Sequence, residues 1–308
     1  MTRTAAQPEA ASPAIRATLP YFGGKRTLAP RIVAEMGPHR AYAELFGGSL
    51  AVLMAKDEAS MEIANDLYGS AINLARVVAS ERWRELLRRC ARLTMHHELF
   101  LEAKALVRET EHAVAPSIVE VGDEHVDAAV WFFVRSWMGR NGSTGTGETN
   151  VTMARRYTSN GGSGGLRWHH AVRSIEWWHG RLSRVVFTNE DAIALAERLE
   201  DAEGWVYYAD PPYLEKGTKY VHDFAEEDHA RLAEALCAKR HARVLVSYYD
   251  DPRLDELYPG WTKLDFSTHK GLVNGGRRGS GERVKAPEVL LVNGPSLVGE
   301  GLFGGGGG

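Results

Sequence analysis

Residues 40–57 read RAYAELFGGSLAVLMAKD. Arg40 to Phe46 predicts a short strand, FGGS a tight turn, and Ser49 to Asp57 a helix that opens on that turn. A strand, a glycine turn and a helix in that order form the repeating unit of α/β proteins. The unit recurs at once: Met61 to Ala64 (MEIA) reads as the next strand, closing on Asn65-Asp66, with a helix from about Tyr68 to Val78. It returns after residue 185 as strand VVF, a helix from Ala192, strand WVYYAD, a helix from Glu226 to Lys239, strand RVLVSYY and a final strand EVLLVN. Strands alternating with helices imply an α/β fold built on a doubly wound, mostly parallel sheet.

Residues 81–184 interrupt this pattern. They read as mostly helical at first (Glu81 to Arg108, Val126 to Met138) and glycine-rich later, which marks an insertion. The expected division is therefore a disordered leader at 1–19, one α/β domain from 20–80 and 185–300, the insertion at 81–184, and a flexible glycine tail at 301–308. With 308 residues, 44% of them apolar, the chain can build a large core. Cys90 and Cys237 lie far apart with no metal-ligand spacing, so neither a disulfide framework nor a metal site is expected, and a reducing, cytoplasmic setting is. No stretch approaches the ~20 apolar residues of a membrane span.

The net charge of −3 hides an uneven distribution. Between Trp131 and Arg184 eight arginines stand against two glutamates, interleaved with Trp137, Tyr157, Trp168, Trp177 and Trp178. Such a block can track phosphates and stack on bases, or it can be a solvated region around a few core tryptophans, and composition does not separate the two.

Two carboxylates end strands. Gly47 and Asp66 are 19 residues apart, and an acid at that remove from a glycine turn can hold ribose hydroxyls. The full GxGxxG pattern is absent, which favours an adenosine ligand without a pyrophosphate. In YYADPPY (207–213) the prolines stop the strand at Asp210, at the carboxyl end that faces the ligand crevice of such sheets. Asp210 can accept a hydrogen bond from an amine, Pro211 and Pro212 can fix a carbonyl toward its second hydrogen, and Tyr213 can stack on a planar ring. The set suits an exocyclic amine of a nucleobase.

These motifs resemble the Dam-like α group of DNA adenine-N6 methyltransferases over roughly residues 20–293. YFGGK (21–25) resembles the family's W-A-G-G-K segment, AELFGGSLAV its V-E-P-F-x-G-x-G-x-V cofactor turn, NDLYGSAINLARVV its ribose-binding segment, and YYADPPY its catalytic motif. GRNG with NVTMARRY resembles the recognition region, and YVHDFAEEDHARLAEAL, NGGRRG and EVLLVN match later segments. Three departures stand out: Tyr21 replaces Trp, Leu45 replaces Pro, and Leu50 stands where a smaller residue is usual.

The resemblance implies a class I, Rossmann-like methyltransferase domain with 81–184 as its target-recognition region. It implies S-adenosylmethionine as cofactor, held by Tyr21, Lys25, Glu44, Phe46, Gly47, Asp66, Asp191 and Asp210, with Asp210, Pro211, Pro212 and Tyr213 at the reaction. An adenine flipped from double-stranded DNA would receive the methyl group. DNA contacts are expected from Arg135, Arg140, Asn141, Arg155, Arg156, Arg167, Asn274 and Arg277. Neither a metal nor a general base is called for, because a sulfonium is an activated donor. A cognate restriction endonuclease and a monomeric or weakly dimeric state are compatible with this reading. The alternatives are an N4-cytosine enzyme of similar chemistry and an inactive DNA-binding module on the same fold.

Overall fold

The computed structural model describes residues 15–21, 23–110, 120–140, 144, 151–154, 163–214, 224–266, 268–269, 285–286 and 288–298. Along the chain run α1 (Ala29–Ala34), β1 (Ala41–Glu44), α2 (Ala51–Ala55), β2 (Met61–Asn65), α3 (Gly69–Ala79), α4 (Trp83–Ala91), α5 (His97–Thr110), α6 (Asp123–Met138) and α7 (Gly164–Leu182). There follow β3 (Val186–Thr188), α8 (Ala192–Arg198), β4 (Trp205–Ala209), α9 (Glu226–Cys237), β5 (Arg243–Tyr249), α10 (Arg253–Leu257), β6 (Thr262–Asp265), β7 (Thr268–His269), β8 (Lys285–Ala286) and β9 (Glu288–Val292).

The principal sheet has seven strands in the order β3-β2-β1-β4-β5-β9-β6. From β3 to β5 the pairing is parallel, while β9 runs antiparallel to both β5 and β6. The fold is the doubly wound, mostly parallel α/β architecture expected of a class I methyltransferase domain. Sheet order reverses between β1 and β4, and at such a switch point the carboxyl ends of the strands leave a crevice. Glu44 of β1 pairs with Tyr208 of β4 there, two residues before Asp210.

Successive residues of a strand point to opposite faces, so each strand feeds two cores. Tyr42, Ala64, Val206, Tyr208 and Leu245 pack with α1 to α7, whereas Ala43, Ile63, Tyr207, Val244 and Val246 pack with α8 to α10. The helices of the insertion thus share the core of one sheet face.

Two expectations for the insertion change. The helix foreseen over 81–108 breaks between α4 and α5, and a 19-residue helix, α7, fills much of the stretch read as glycine-rich. Ser163 starts α7 by accepting a hydrogen bond from the Leu166 amide, a standard helix cap. Trp168, Ala171, Val172, Ile175, Trp178 and Leu182 then recur at helical spacing and are all buried. The glycines hide this stripe because only two of them, Gly164 and Gly165, belong to its first turn.

Candidate active site

The β1–α2 turn forms the floor of a cleft of ≈ 1010 Å³, part of it open to solvent. The Gly47 amide donates to the Asn65 carbonyl at 2.6 Å, and a Cβ at Gly47 would lie 2.8 Å from a Leu50 methyl and 3.0 Å from that carbonyl. Gly48 has φ +49° and Leu50 φ +57°, both left-handed. For a leucine this conformation costs on the order of 1 kcal/mol. Its fully buried side chain offsets that cost. Leu50 is therefore the non-glycine residue of the turn in the left-handed region, where a glycine would have been unstrained.

Asp66 braces the turn from β2, accepting from the Gly48 amide at 2.6 Å and the Tyr68 amide at 2.7 Å. Beside it, buried Asn65 donates its amide to the carbonyls of Leu45 and Glu190 and accepts from the Thr188 hydroxyl, fastening the ends of β1, β2 and β3 together. Asp191 caps α8 through the Ala194 amide and stands on the same wall of the cleft.

An ion-pair cluster surrounds Asp210. Lys25 Nζ lies 2.7 Å from Asp210 Oδ2 and 3.1 Å from Glu288 Oε1. The Tyr213 hydroxyl reaches the same two carboxylates, at 2.8 Å to Glu288 Oε1 and 3.2 Å to Asp210 Oδ1. Burial pushes Asp210 up to about 6, against the opposing pull of the Lys25 ammonium. For Lys25 burial favours the neutral form, but the two carboxylates outweigh it and the net shift is upward. Glu44, fully buried at the end of β1, accepts from the Tyr42 hydroxyl and the Leu53 amide, both at 2.8 Å. Burial raises it to about 8, those hydrogen bonds notwithstanding.

Every residue foreseen as a cofactor ligand lines this cleft: Tyr21, Lys25, Glu44, Phe46, Gly47, Asp66, Asp191 and Asp210. Pro212 lines it too, while Pro211 is buried behind it. Tyr213 is also buried, its ring edge-on to Tyr249 with centroids 4.3 Å apart and its hydroxyl held by carboxylates. Sequence reading gave no role to Glu288, nor to Phe224, which meets Phe46 edge-to-face and completes one apolar wall. An acid opening the apolar strand EVLLV was the available signal for Glu288, since a buried carboxylate needs a partner. Among the described residues no group of three or more His, Cys, Asp or Glu side chains could hold a metal ion, and no helix is long and apolar enough to cross a membrane.

The sequence profile of the D12 class N6 adenine-specific DNA methyltransferases matches residues 21–270. The chain belongs to this family. It is an adenine-specific DNA methyltransferase, as the DPPY motif led one to expect. No curated protein matches the chain. Among solved structures it is similar to the rRNA methyltransferase aviRa from Streptomyces viridochromogenes, with 12% identity, a TM-score of 0.36, and 92% of this chain and 87% of that chain covered.

In this methyltransferase the arginines of the insertion have divergent surroundings. Arg181 is buried in α7, bidentate on Glu62 at 2.6 and 2.9 Å and donating to the Leu53 carbonyl at 2.7 Å. Arg184 pairs with Glu58 at the surface. Arg167 donates to the carbonyls of Trp137 and Gly139, closing the carboxyl end of α6. Arg135 is half-buried and Arg140 exposed. Trp137, Trp168 and Trp178 are core residues, whereas Trp177 is 38% exposed. Asn141, Arg155, Arg156, Asn274 and Arg277 lie outside the described residues, as do most of the leader and the whole glycine tail.

Proposed function

We propose that the enzyme transfers a methyl group from S-adenosylmethionine to the exocyclic amine of an adenine turned out of duplex DNA into this cleft. The observation that carries the reading is the convergence of Asp210, Glu44 and the Gly47 turn at the switch point of the sheet. The donor set fits such a cofactor: carboxylates of Asp66 and Asp191 stand on one wall for sugar and amine hydrogens, and Phe46 and Phe224 offer an apolar surface. Bound S-adenosylmethionine supplies a methyl group already activated on a sulfonium.

What remains for the protein is to bind, aim and polarise. Asp210 accepts a hydrogen bond from the target amine, which keeps electron density on nitrogen and fixes the direction of attack. Both of its oxygens already have one partner, and each keeps a lone pair for the amine. The rigid Pro211-Pro212 step holds the carboxylate at the strand end. Tyr213 acts on the base through Asp210, since its hydroxyl is directed there and to Glu288. Thr144 bridges to Tyr21, which lines the cleft, and Gly139 pairs with Met153, so the described residues on either side of Arg140 are tied to the cleft and to the chain beyond it. That placement supports Arg135 and Arg140 as contacts to DNA; Asn141, Arg155, Arg156, Asn274 and Arg277 join them on the resemblance alone, whereas the Arg167 guanidinium is taken up by the carbonyls of Trp137 and Gly139. Turning a base out costs a few kcal/mol, which phosphate contacts offset.

The test is incubation of the enzyme with duplex DNA and methyl-labelled S-adenosylmethionine, followed by digestion to nucleosides. Label in N6-methyladenine is expected; label in N4-methylcytosine, or equal incorporation into RNA, overturns the reading.

A further inference from the structure

Glu288 lies 18 residues beyond the end of the family match, which stops at residue 270, yet it enters the centre of the site. It opens β9, the antiparallel strand beside β5, and its register opposite Tyr249 aims its carboxylate across the sheet end toward β4. The result is one ammonium and one hydroxyl shared by two carboxylates: Lys25 Nζ is 2.7 Å from Asp210 and 3.1 Å from Glu288, and the Tyr213 hydroxyl is closer to Glu288 (2.8 Å) than to Asp210 (3.2 Å). All four side chains are largely buried, with Lys25 only 6% exposed.

A hydroxyl has one proton to give, and an ammonium hydrogen given to one oxygen is withheld from another. Were Glu288 absent, Lys25 and Tyr213 would both turn fully to Asp210. An Asp210 held by two strong donors and no neighbouring anion is a weaker acceptor for a third N–H. We propose that Glu288 is a positioning residue of the methyl-transfer reaction, drawing Lys25 and the Tyr213 hydroxyl partly away from Asp210 so that the Asp210 carboxylate remains a strong acceptor for the target amine.

This rests on the role given to Asp210 above, and among the described residues the groups facing that carboxylate come from several elements. Lys25 comes from the amino-terminal loop, Glu44 from β1, Tyr208 from β4, Tyr213 from the motif itself, Tyr248 and Tyr249 from β5, and Glu288 from β9. Of these, Glu288 raises the proton affinity of Asp210 by charge, Lys25 and Tyr213 lower it, and Asp210 in turn raises that of Glu44. Removing the Glu288 charge deletes a raising influence and strengthens both lowering ones. All three changes have the same sign.

The experiment compares wild type, Glu288→Gln, Glu288→Ala and Asp210→Ala, measuring kcat against pH between about 5 and 9, melting temperature, and S-adenosylmethionine affinity by calorimetry. For Glu288→Gln, which keeps an acceptor for Tyr213, the acid limb of kcat is expected to move to lower pH by at least about half a unit while the plateau falls a few-fold. Cofactor affinity should stay within about twofold, because Glu288 is not among the cleft-lining residues. Glu288→Ala is expected to lose at least about tenfold in plateau kcat, most of it restored by Gln. An unmoved acid limb in a folded Glu288→Gln enzyme, or equal losses for Gln and Ala that track melting temperature alone, overturns the proposal. Substantial activity in Asp210→Ala would instead remove the role of Asp210, a failure of the functional reading that is distinguishable from a failure of Glu288.

Discussion

The two walls and floor of the cleft gather residues from across the chain into one place, whereas the insertion disperses residues that are neighbours in sequence. Lys25, Glu44, Asp66, Asp191 and Asp210 come from five segments and line a single crevice. Arg167, Arg181 and Arg184 lie within 18 residues and serve three unrelated purposes: closing the end of α6, bridging to Glu62 and pairing at the surface with Glu58. The difference follows from what each residue needs. A carboxylate at the end of a parallel strand is placed by the sheet, and the sheet places all such ends together. An arginine on a helix is placed by its turn of 100°, so adjacent arginines look in different directions.

Arg181 belongs to the scaffold despite its place in a basic block. Removing one partner of a buried ion pair is strongly destabilising, on the order of 3–5 kcal/mol, because the other is left behind. Arg181→Ala leaves Glu62 with Lys56 and the Ala59 amide and frees the Leu53 carbonyl. Thermal unfolding should show this loss, and DNA affinity per folded molecule should stay near wild type. A protein of unchanged melting temperature that no longer binds DNA would place Arg181 on the DNA face and end the contrast.

On the other side of it stands Asp210, where a single atom group is assigned to chemistry. Asp210→Ala should raise the barrier by roughly 2–4 kcal/mol or more, with a smaller fall in melting temperature than Arg181→Ala, because Lys25 keeps Glu288 and the cost of burying the Asp210 charge is removed. In the intact enzyme the acid limb carries the same information. Asp210 must be ionised to accept the amine, and because burial raises it to about 6, activity is expected to fall as pH drops through about 6 and not near the ordinary aspartate range. An acid limb near pH 4 would show that the carboxylate is not held as it is seen here.

What could be read in the sequence follows the same line. AELFGGS and ADPPY each sit at a strand end and a turn, so local pattern sufficed to put Gly47 and Asp210 at the crevice, the resemblance added Glu44, and the mostly parallel sheet followed from the α/β alternation. Glu288 was out of reach because its contact with Tyr213 spans 75 residues and depends on an antiparallel partner that no local signal specifies. Helix α7 was hidden by its glycine-rich approach, and the break before α5 has no proline or glycine to announce it. The tryptophans interleaved with the arginines were ambiguous for a simpler reason: burial is decided by helix phase, and Trp137, Trp168 and Trp178 face the core while Trp177 does not.

Asp66 sharpens the contrast within the cleft itself. Its carboxylate accepts from the amides of Gly48 and Tyr68 and so braces the turn that Asp210 faces. Asp66→Ala should weaken S-adenosylmethionine binding by roughly 1–3 kcal/mol and leave DNA binding by the cofactor-free enzyme nearly unchanged. Calorimetry with cofactor alone reads the first quantity; equal affinity in the two proteins would move the ribose elsewhere. Asp66→Asn separates bracing from binding, since the amide oxygen keeps one acceptor for the turn while the charge is lost.

The smallest effect is expected at Arg140, and it bears on whether the insertion has a DNA face at all. Arg140 is exposed at the end of α6, its amide donates to the Thr152 carbonyl at 3.0 Å, and Thr144 four residues on pairs with Tyr21 at the cleft. The backbone is thus fixed to the cleft rim while the side chain reaches solvent, the disposition a phosphate contact requires. A phosphate contact replaced by alanine weakens binding to all sequences alike, by about 1 kcal/mol at moderate salt, and reduces the slope of log affinity against log salt by about one unit. A base contact would instead relax preference at one position of the target. The two outcomes are told apart by measuring Arg140→Ala on specific and random duplexes over a range of salt. If affinity and slope both match wild type while the melting temperature drops, Arg140 joins Arg167 and Arg181 as scaffold, and the contact to DNA must come from elsewhere in the chain.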